Sequence, residues 1–296
     1  MASVSDYRRI LGGIGDEAAA DLPTQIAVHR DLGWRNLELR TVDGRALADL
    51  SIRRLIDIAD AVLNSELAVP CIDSRIGSWQ CPITATFEHD MAELTTLSEL
   101  AAELGTPYLR VMSYPNDKLS PAAWHKEVFR RFRILTSAAE DRNITLLLEN
   151  CSGWAGTSAW RAQQLLDDID SPHLKLLFDI GNPVAHGYDG YQYLTGLVGH
   201  VRHVHLKDAL PAREDKPVVF TQPGQGAARL EECLSLLLSN GYRGAMSVEP
   251  HISFVPHEGR TRDAGYLRSS YIAYCQRLEV MMSHLPLASP AAREQR

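Results

Sequence analysis

Three stretches of this chain share one pattern: a helical segment, then a glycine, then a short run rich in β-forming residues. They are HRDLGWRNLEL, AELGTPYLRV and LSNGYRGAMSV. Gly33, Gly105 and Gly241 stand where a helix would end in the left-handed conformation, which glycine adopts without steric penalty. Helix starts are marked as well. Ser120 followed by Pro121 places a capping hydroxyl and a proline in a first turn, and Trp124, Val128, Ile134 and Leu135 continue the apolar stripe. Asp49 or Ser51 opens a helix carrying Ile52, Leu55, Ile56 and Ala59. Eight extended runs are predicted, near 8–14, 36–40, 67–73, 108–112, 144–149, 174–179, 201–207 and 245–249. Helical pattern lies between most of them, as over 86–104, 121–141 and 227–240.

Alternating strands and helices imply parallel, right-handed crossovers. Eight units with no break in composition predict an α/β fold closed as a (β/α)8 TIM barrel; the other arrangement is an open, doubly wound sheet. The 296 residues suffice for the ~250 that such a barrel takes. No Pro/Gly/Ser-rich linker divides them, so 1–296 reads as a single domain with a flexible tail from about 285, where Pro286, Pro290 and REQR lie.

The formal charge of −7 offers no general attraction to nucleic acid or anionic membrane. No apolar run approaches the ~20 residues of a spanning helix, and MASVSDYRRILGG lacks a signal-peptide pattern. Cys71, Cys81, Cys151, Cys233 and Cys275 are odd in number and form no C-x-x-C pair. That argues against a disulfide framework and a thiolate zinc site, and makes a reducing cytoplasm the expected compartment.

A parallel barrel carries its chemistry at the C-terminal ends of its strands. Four apolar runs here close on a polar group: ITLLLEN at Glu149, LKLLFDIGN at Asp179, VRHVHLKD with His205, and GAMSVEPH with Glu249. Side chains alternate along a strand, so Leu147 shares a face with Glu149 and Leu177 with Asp179. His203, His205 and Lys207 share another, and Ala245 and Ser247 leave room beneath Glu249. Three carboxylates crowded in a partly dry site repel one another and raise one another's pKa; a divalent cation relieves this. Oxygen-rich ligation with one imidazole suits one divalent ion, Mn2+ before Mg2+, Co2+ or Zn2+.

These residues carry a resemblance. In LLLEN, FDIGN, HVHLKD and PGQG…NGYRGAMSVEPH, the chain resembles the sugar-phosphate isomerase/epimerase family. These are xylose-isomerase-like barrels that include ketose 3-epimerases, inosose dehydratases and hydroxypyruvate isomerases. The likeness runs from about GWRNLELR to SVEPH. It implies a metal held by Glu149, Asp179, His205 and Glu249, with the second histidine of H-x-H as the ligand. Ketose 3-epimerases often have His, Arg and Glu where this chain has Asn182, Pro211 and Ala155, so the resemblance supports the family more than that one activity.

Other residues read two ways. Glu38 faces inward with Asn36 and Arg40; it either resembles a family position at the site floor or pairs with Arg110, which itself either binds substrate or neutralises Glu38. Asn182 and His186 follow a strand, and Asn182 is the stronger substrate-binding candidate. Lys207 either polarises a carbonyl or pairs with Asp208, and His251 shares the direction of Glu249. His203 reads as a supporting histidine. Trp79, Trp154 and Trp160 either wall a pocket or pack under loops. Gly224-Gln225-Gly226 reads as a loop entering a helix, offering N–H groups to a substrate rather than to a nucleotide.

The function implied is metal-dependent isomerisation or epimerisation of a keto-sugar or related polyol through a stabilised enediolate. Glu149 and Glu249 would serve as both ligands and proton-transfer groups. The rivals are a lyase on the same scaffold (an inosose or 3-dehydroshikimate dehydratase, or a C-glycoside-cleaving enzyme) and a non-catalytic sugar-binding barrel. An endonuclease IV-like nuclease fits poorly, because AVPCIDSRIG lacks the histidine of that group and the chain is acidic. The partner expected is a small carbohydrate or polyol, with a homo-oligomer also open.

Overall fold

The computed structural model describes residues 7–285 except 215 and 256–258. Seven strands form one curled parallel sheet in the order Leu11–Gly13, Met246–Val248, Val201–Leu206, Leu174–Asp179, Thr145–Gly153, Tyr108–Ser113 and Ile72–Asp73. Helices cross between them, and the fold is a TIM barrel. The remaining run, 36–40, completes the ring by single parallel bridges rather than a regular ladder: Ile14 to Glu38, Asn36 to Ala68 and Leu39 to Ile72. The cause is local. The Asn36 side chain donates to the carbonyls of Arg9 and Leu11 at 3.1 and 3.0 Å, taking acceptors that a neighbouring strand would use.

The ends of the predicted elements move for similar reasons. Residues 8–10 turn instead of extending. The run 67–73 is regular only at its last two residues. The helix expected from 227 begins at Leu230, because Arg229 is left-handed at φ 56°. The expected tail lies beyond the described residues from 286 onward. Ser51, not Asp49, caps the helix Ile52–Leu63 by accepting from the Arg54 N–H, and Leu55, Ile58, Ala59 and Val62 bury one face. Ser120 and Pro121 open Pro121–Glu140 as predicted. Gly105 ends Phe87–Leu104 at φ 67°, where its N–H returns to the Ala101 carbonyl.

Strand alternation sorts the core into two. Outward residues such as Leu146, Leu148, Leu176, Phe178, Val204 and Met246 meet the helices in one large cluster. Inward, Cys71, Leu147 and Leu177 form a small layer inside the barrel. Each lies two residues before a buried acid: Asp73, Glu149 or Asp179. The apolar layer is therefore the floor on which the acids stand. No helix among the described residues is long and apolar enough to cross a membrane.

The last helix, Ala264–Ser283, packs its Tyr271 hydroxyl against the buried His29. His29 Nδ1 donates to the Gln25 carbonyl at 2.8 Å, and Nε2 accepts from Tyr271 at 3.0 Å, so the ring is held neutral. Burial pushes its pKa down to about 4. The unfolded chain binds this proton near pH 6.5 and the folded chain only near 4, so stability is lost as pH falls through that window. Denaturant titrations at pH 7.5 and 4 should show wild type losing about 3 kcal/mol more than His29→Gln across this range. Parallel losses in the two proteins would exclude His29 as the cause.

Candidate functional site

A cavity of about 890 Å3 opens at the C-terminal end of the barrel. Its floor is charged. Glu149, Asp179, His205 and Glu249 each bring one ligand atom into a group whose members all lie within 4.8 Å of one another. His205 Nδ1 lies 3.5 Å from Glu249 Oε2, 3.9 Å from Asp179 Oδ2 and 4.0 Å from Glu149 Oε1. Strand register produces this meeting: Asp179 and Ser247 both pair with His205 across adjacent strands.

Each carboxylate is clamped from behind. Asp179 Oδ1 accepts from the N–H groups of Gly181 and Asn182, both at 2.7 Å. Glu249 Oε1 accepts from Arg40 Nη1 at 2.6 Å. Glu149 Oε2 accepts from Arg110 Nη1 at 2.8 Å, and its Oε1 accepts from the Asn182 amide at 2.9 Å. The second oxygens of Asp179 and Glu249 and Nδ1 of His205 are buried and make no hydrogen bond. Lys207 Nζ pairs with those two oxygens, at 2.9 and 2.5 Å. Gly181 makes room for it, since a Cβ there would lie 2.7 Å from Lys207 Cβ.

The donor set fits a divalent cation. Orphaned carboxylate oxygens and an imidazole nitrogen face one point, and His205 Nε2 is fixed by Glu38 Oε1 at 2.9 Å, as metal-binding histidines are usually held by a carboxylate. The electrostatics agree. Burial pushes Asp179 up to about 7, with Lys207 opposing. Burial also opposes charge on Glu249, yet Lys207, His251 and His205 outweigh it and hold that carboxyl well below its usual range. Burial resists charge on His205 too, but Glu38 and Glu249 raise its pKa far above the ordinary value. The cluster draws positive charge to itself.

The structure brings the predicted site residues together at this end of the barrel, Glu38 beneath the floor, with several corrected contacts. Glu38 does not pair with Arg110. It accepts from His203 at 2.7 Å and from His205, whereas Arg110 reaches Glu149 and, at 3.4 Å, Asp73. Arg110 pairs in register with Asp73 on the neighbouring strand, which sets that choice. Lys207 does not pair with Asp208, because just past the strand Val201–Leu206 it turns to Asp179 and Glu249. Asp208 instead accepts from the N–H groups of Ala209, Gly224, Gly226 and Ala228, and the Gln225 N–H donates to the Gln222 carbonyl, so the Gly224-Gln225-Gly226 amides are all engaged within the chain rather than offered to a substrate. Asn182 bridges Glu149 and Lys207, and His186 lines the cavity. His251 takes φ 53° and is held by Glu17, which accepts from its N–H and Nδ1 at 2.8 and 2.7 Å. Trp79 lines the cavity, Trp154 packs against Phe129 and His125, and Trp160 is exposed on a helix.

Three groups escaped the sequence reading as site residues. Asp73 closes VPCID as the other acids close their strands, so the same signal marks it. Burial pushes its carboxyl well above the usual range, with Arg110 opposing. Arg40, read only as inward-facing, clasps Asp16 at 2.8 Å as well as Glu249. Glu17 lies in the turn after the first strand rather than at its end, and nothing in the sequence singles it out; burial pushes it up to about 8.

A family model described as xylose isomerase-like TIM barrel matches residues 26–269. Over 137 residues the chain is 34% identical to 2-epi-5-epi-valiolone 7-phosphate 2-epimerase of Actinoplanes sp., covering 46% of this chain and 48% of that protein. Over 180 residues it is 26% identical to inosose dehydratase of Bacillus thuringiensis, covering 55% and 59%. These matches span about half the length of those relatives. Among solved structures, the IOLI protein with a bound zinc atom superposes with a TM-score of 0.71 at 18% identity, over 93% of this chain and 99% of that one. That is a likeness of fold.

The corrected pairing is measurable. In a double-mutant cycle read by denaturant unfolding, Arg110→Met and Glu149→Gln should be non-additive, coupling by about 1–3 kcal/mol. Arg110→Met and Glu38→Gln should be nearer to additive. Stronger coupling of Arg110 to Glu38 than to Glu149 would reverse the assignment.

Proposed function

The chain belongs to the xylose isomerase-like TIM barrel family, and on that premise we propose that it is a divalent-cation-dependent isomerase or epimerase of a keto-sugar or related polyol. One observation carries the reading: Asp179 Oδ2, Glu249 Oε2 and His205 Nδ1 are buried and converge on one point, where the Lys207 ammonium stands against the two oxygens. Glu149, Asp179, His205 and Glu249 would hold the cation, Mn2+ by preference for an oxygen-rich set. A bound cation supplies Lewis acidity, stabilising negative charge on substrate oxygens.

The residues supply the rest. Glu149 and Glu249 stand on strands that flank those of Asp179 and His205, so two carboxylates reach the floor from opposite sides. Removing a proton beside a carbonyl on one side and returning it on the other inverts a carbon; moving it between carbons isomerises. Lys207 Nζ, beside Glu249 Oε2, is placed to donate to a substrate oxygen. Asn182 and Arg110 fix the Glu149 carboxylate in place. Glu38 holds both His203 and His205, so it orients the site. The cavity volume lies within the ~300–1,000 Å3 range of small-molecule sites.

A second reading is a lyase that expels a β-hydroxyl after the same proton abstraction. The likeness to inosose dehydratase favours it.

The test is proton NMR in D2O with 2-keto-myo-inositol, ketohexoses and 3-dehydroshikimate, alongside metal analysis. Cation-dependent entry of deuterium is expected, with product distinguishing inversion, isomerisation and loss of water. At confirmed metal occupancy, Glu149→Gln and Glu249→Gln should each lower kcat by about 10²–10⁴-fold. Full turnover of a substrate after exhaustive chelation, with no residual metal, would end the metal-dependent reading. For the ligand assignment, His205→Ala should abolish cation binding in calorimetry, whereas His203→Ala should weaken it by about 10–100-fold. Undiminished binding by His205→Ala would show that this histidine is not a ligand.

A further inference from the structure

We infer that Asp73 and Arg110 form a subsite for a substrate hydroxyl group beside Glu149, making Asp73 a specificity-determining residue. The inference rests on the proposed polyol chemistry and adds where one hydroxyl binds. Asp73 is only 4% exposed, lines the cavity, and has no hydrogen bond to either carboxylate oxygen. Arg110 Nε, 3.4 Å from Asp73 Oδ1, is also buried without a hydrogen bond. The other side of the same guanidinium is committed, with Nη1 donating to Glu149 Oε2 at 2.8 Å. Two acceptors and one donor therefore stand together just behind the cavity wall, closed to a hydroxyl until the Arg110 side chain shifts, and one guanidinium away from a proton-transfer carboxylate.

Leaving such groups without a hydrogen bond is costly, so the complementary ligand group is one that satisfies both kinds. A hydroxyl does: it donates to Asp73 and accepts from Arg110 Nε. A carbonyl, phosphate or carboxylate only accepts and offers Asp73 no donor, while an ammonium only donates and offers Arg110 no acceptor. The chemistry selects an uncharged, hydroxylated carbon near the reacting centre. A site built to hydrogen-bond a hydroxyl rejects the analogue that lacks it.

The test compares wild type, Asp73→Ala and Asp73→Asn on 2-keto-myo-inositol and its monodeoxy analogues, using deuterium exchange for kcat/KM and calorimetry with myo-inositol for binding. One monodeoxy analogue should be about 10–100-fold poorer than the parent for wild type. Asp73→Ala should lose a similar factor on the parent and little more on that analogue, while Asp73→Asn, which keeps an acceptor, falls between. Equal losses by Asp73→Ala on every analogue would mean a merely structural role and would overturn the subsite. If wild type exchanges no keto-polyol, the proposed function fails on these substrates and binding alone decides the subsite. Weaker myo-inositol binding by Asp73→Ala would then uphold it, and equal binding, or none by wild type, would overturn it.

Discussion

Buried negative charge governs the mouth of this barrel. Asp16, Glu17, Asp73, Glu149, Asp179 and Glu249 are all buried at one end, with Glu38 beneath them. A carboxylate removed from water without a partner takes up a proton rather than remain charged. The chain answers with few cations, each shared: Arg40 between Asp16 and Glu249, Arg110 between Asp73 and Glu149, Lys207 between Asp179 and Glu249. This sharing fixes the rotamers of the acids and turns Oδ2 of Asp179 and Oε2 of Glu249 inward, where Lys207 Nζ pairs with both. The apolar layer of Cys71, Leu147 and Leu177 closes the barrel beneath and keeps the local dielectric low.

Much of this was legible because the barrel and the strand use simple periods. Glycines at helix ends and capping Ser-Pro dipeptides are local signals, and they marked units whose order then followed from parallel crossovers. The side-chain period of two placed Glu149 above Leu147 and Asp179 above Leu177 without knowledge of tertiary contacts. The same rule put Lys207 on the face of His203 and His205, while its pairing with Asp208 stayed open.

What the sequence hid were pairings across the ring. That Arg110 prefers Glu149 and Asp73 to Glu38 depends on which strands are neighbours and in what register, information that lies in no single segment. Asn36 shows another limit. Its composition reads as strand, yet its amide takes the carbonyls a ladder needs, so regular pairing gives way to bridges. Glu17 was invisible because its role comes from His251, more than two hundred positions away, held in a left-handed conformation.

The sharing of cations has an evolutionary consequence. Replacing one acid frees half of a guanidinium or ammonium, which then leans on its remaining partner and shifts a group on another strand. Substitutions at the floor are thereby epistatic: a neutral exchange at one position depends on what occupies two others. The short hairpins Thr41–Val42 with Arg45–Ala46 and Ala209–Leu210 with Val219–Phe220 lie at the rim and touch this network at single residues, Thr41 against Asp16 and Phe220 against Lys207 and His251. New substrate ranges are therefore reached most readily by exchange at the rim, while the floor changes only in sets, and lineages of this fold would diverge from the lip inward.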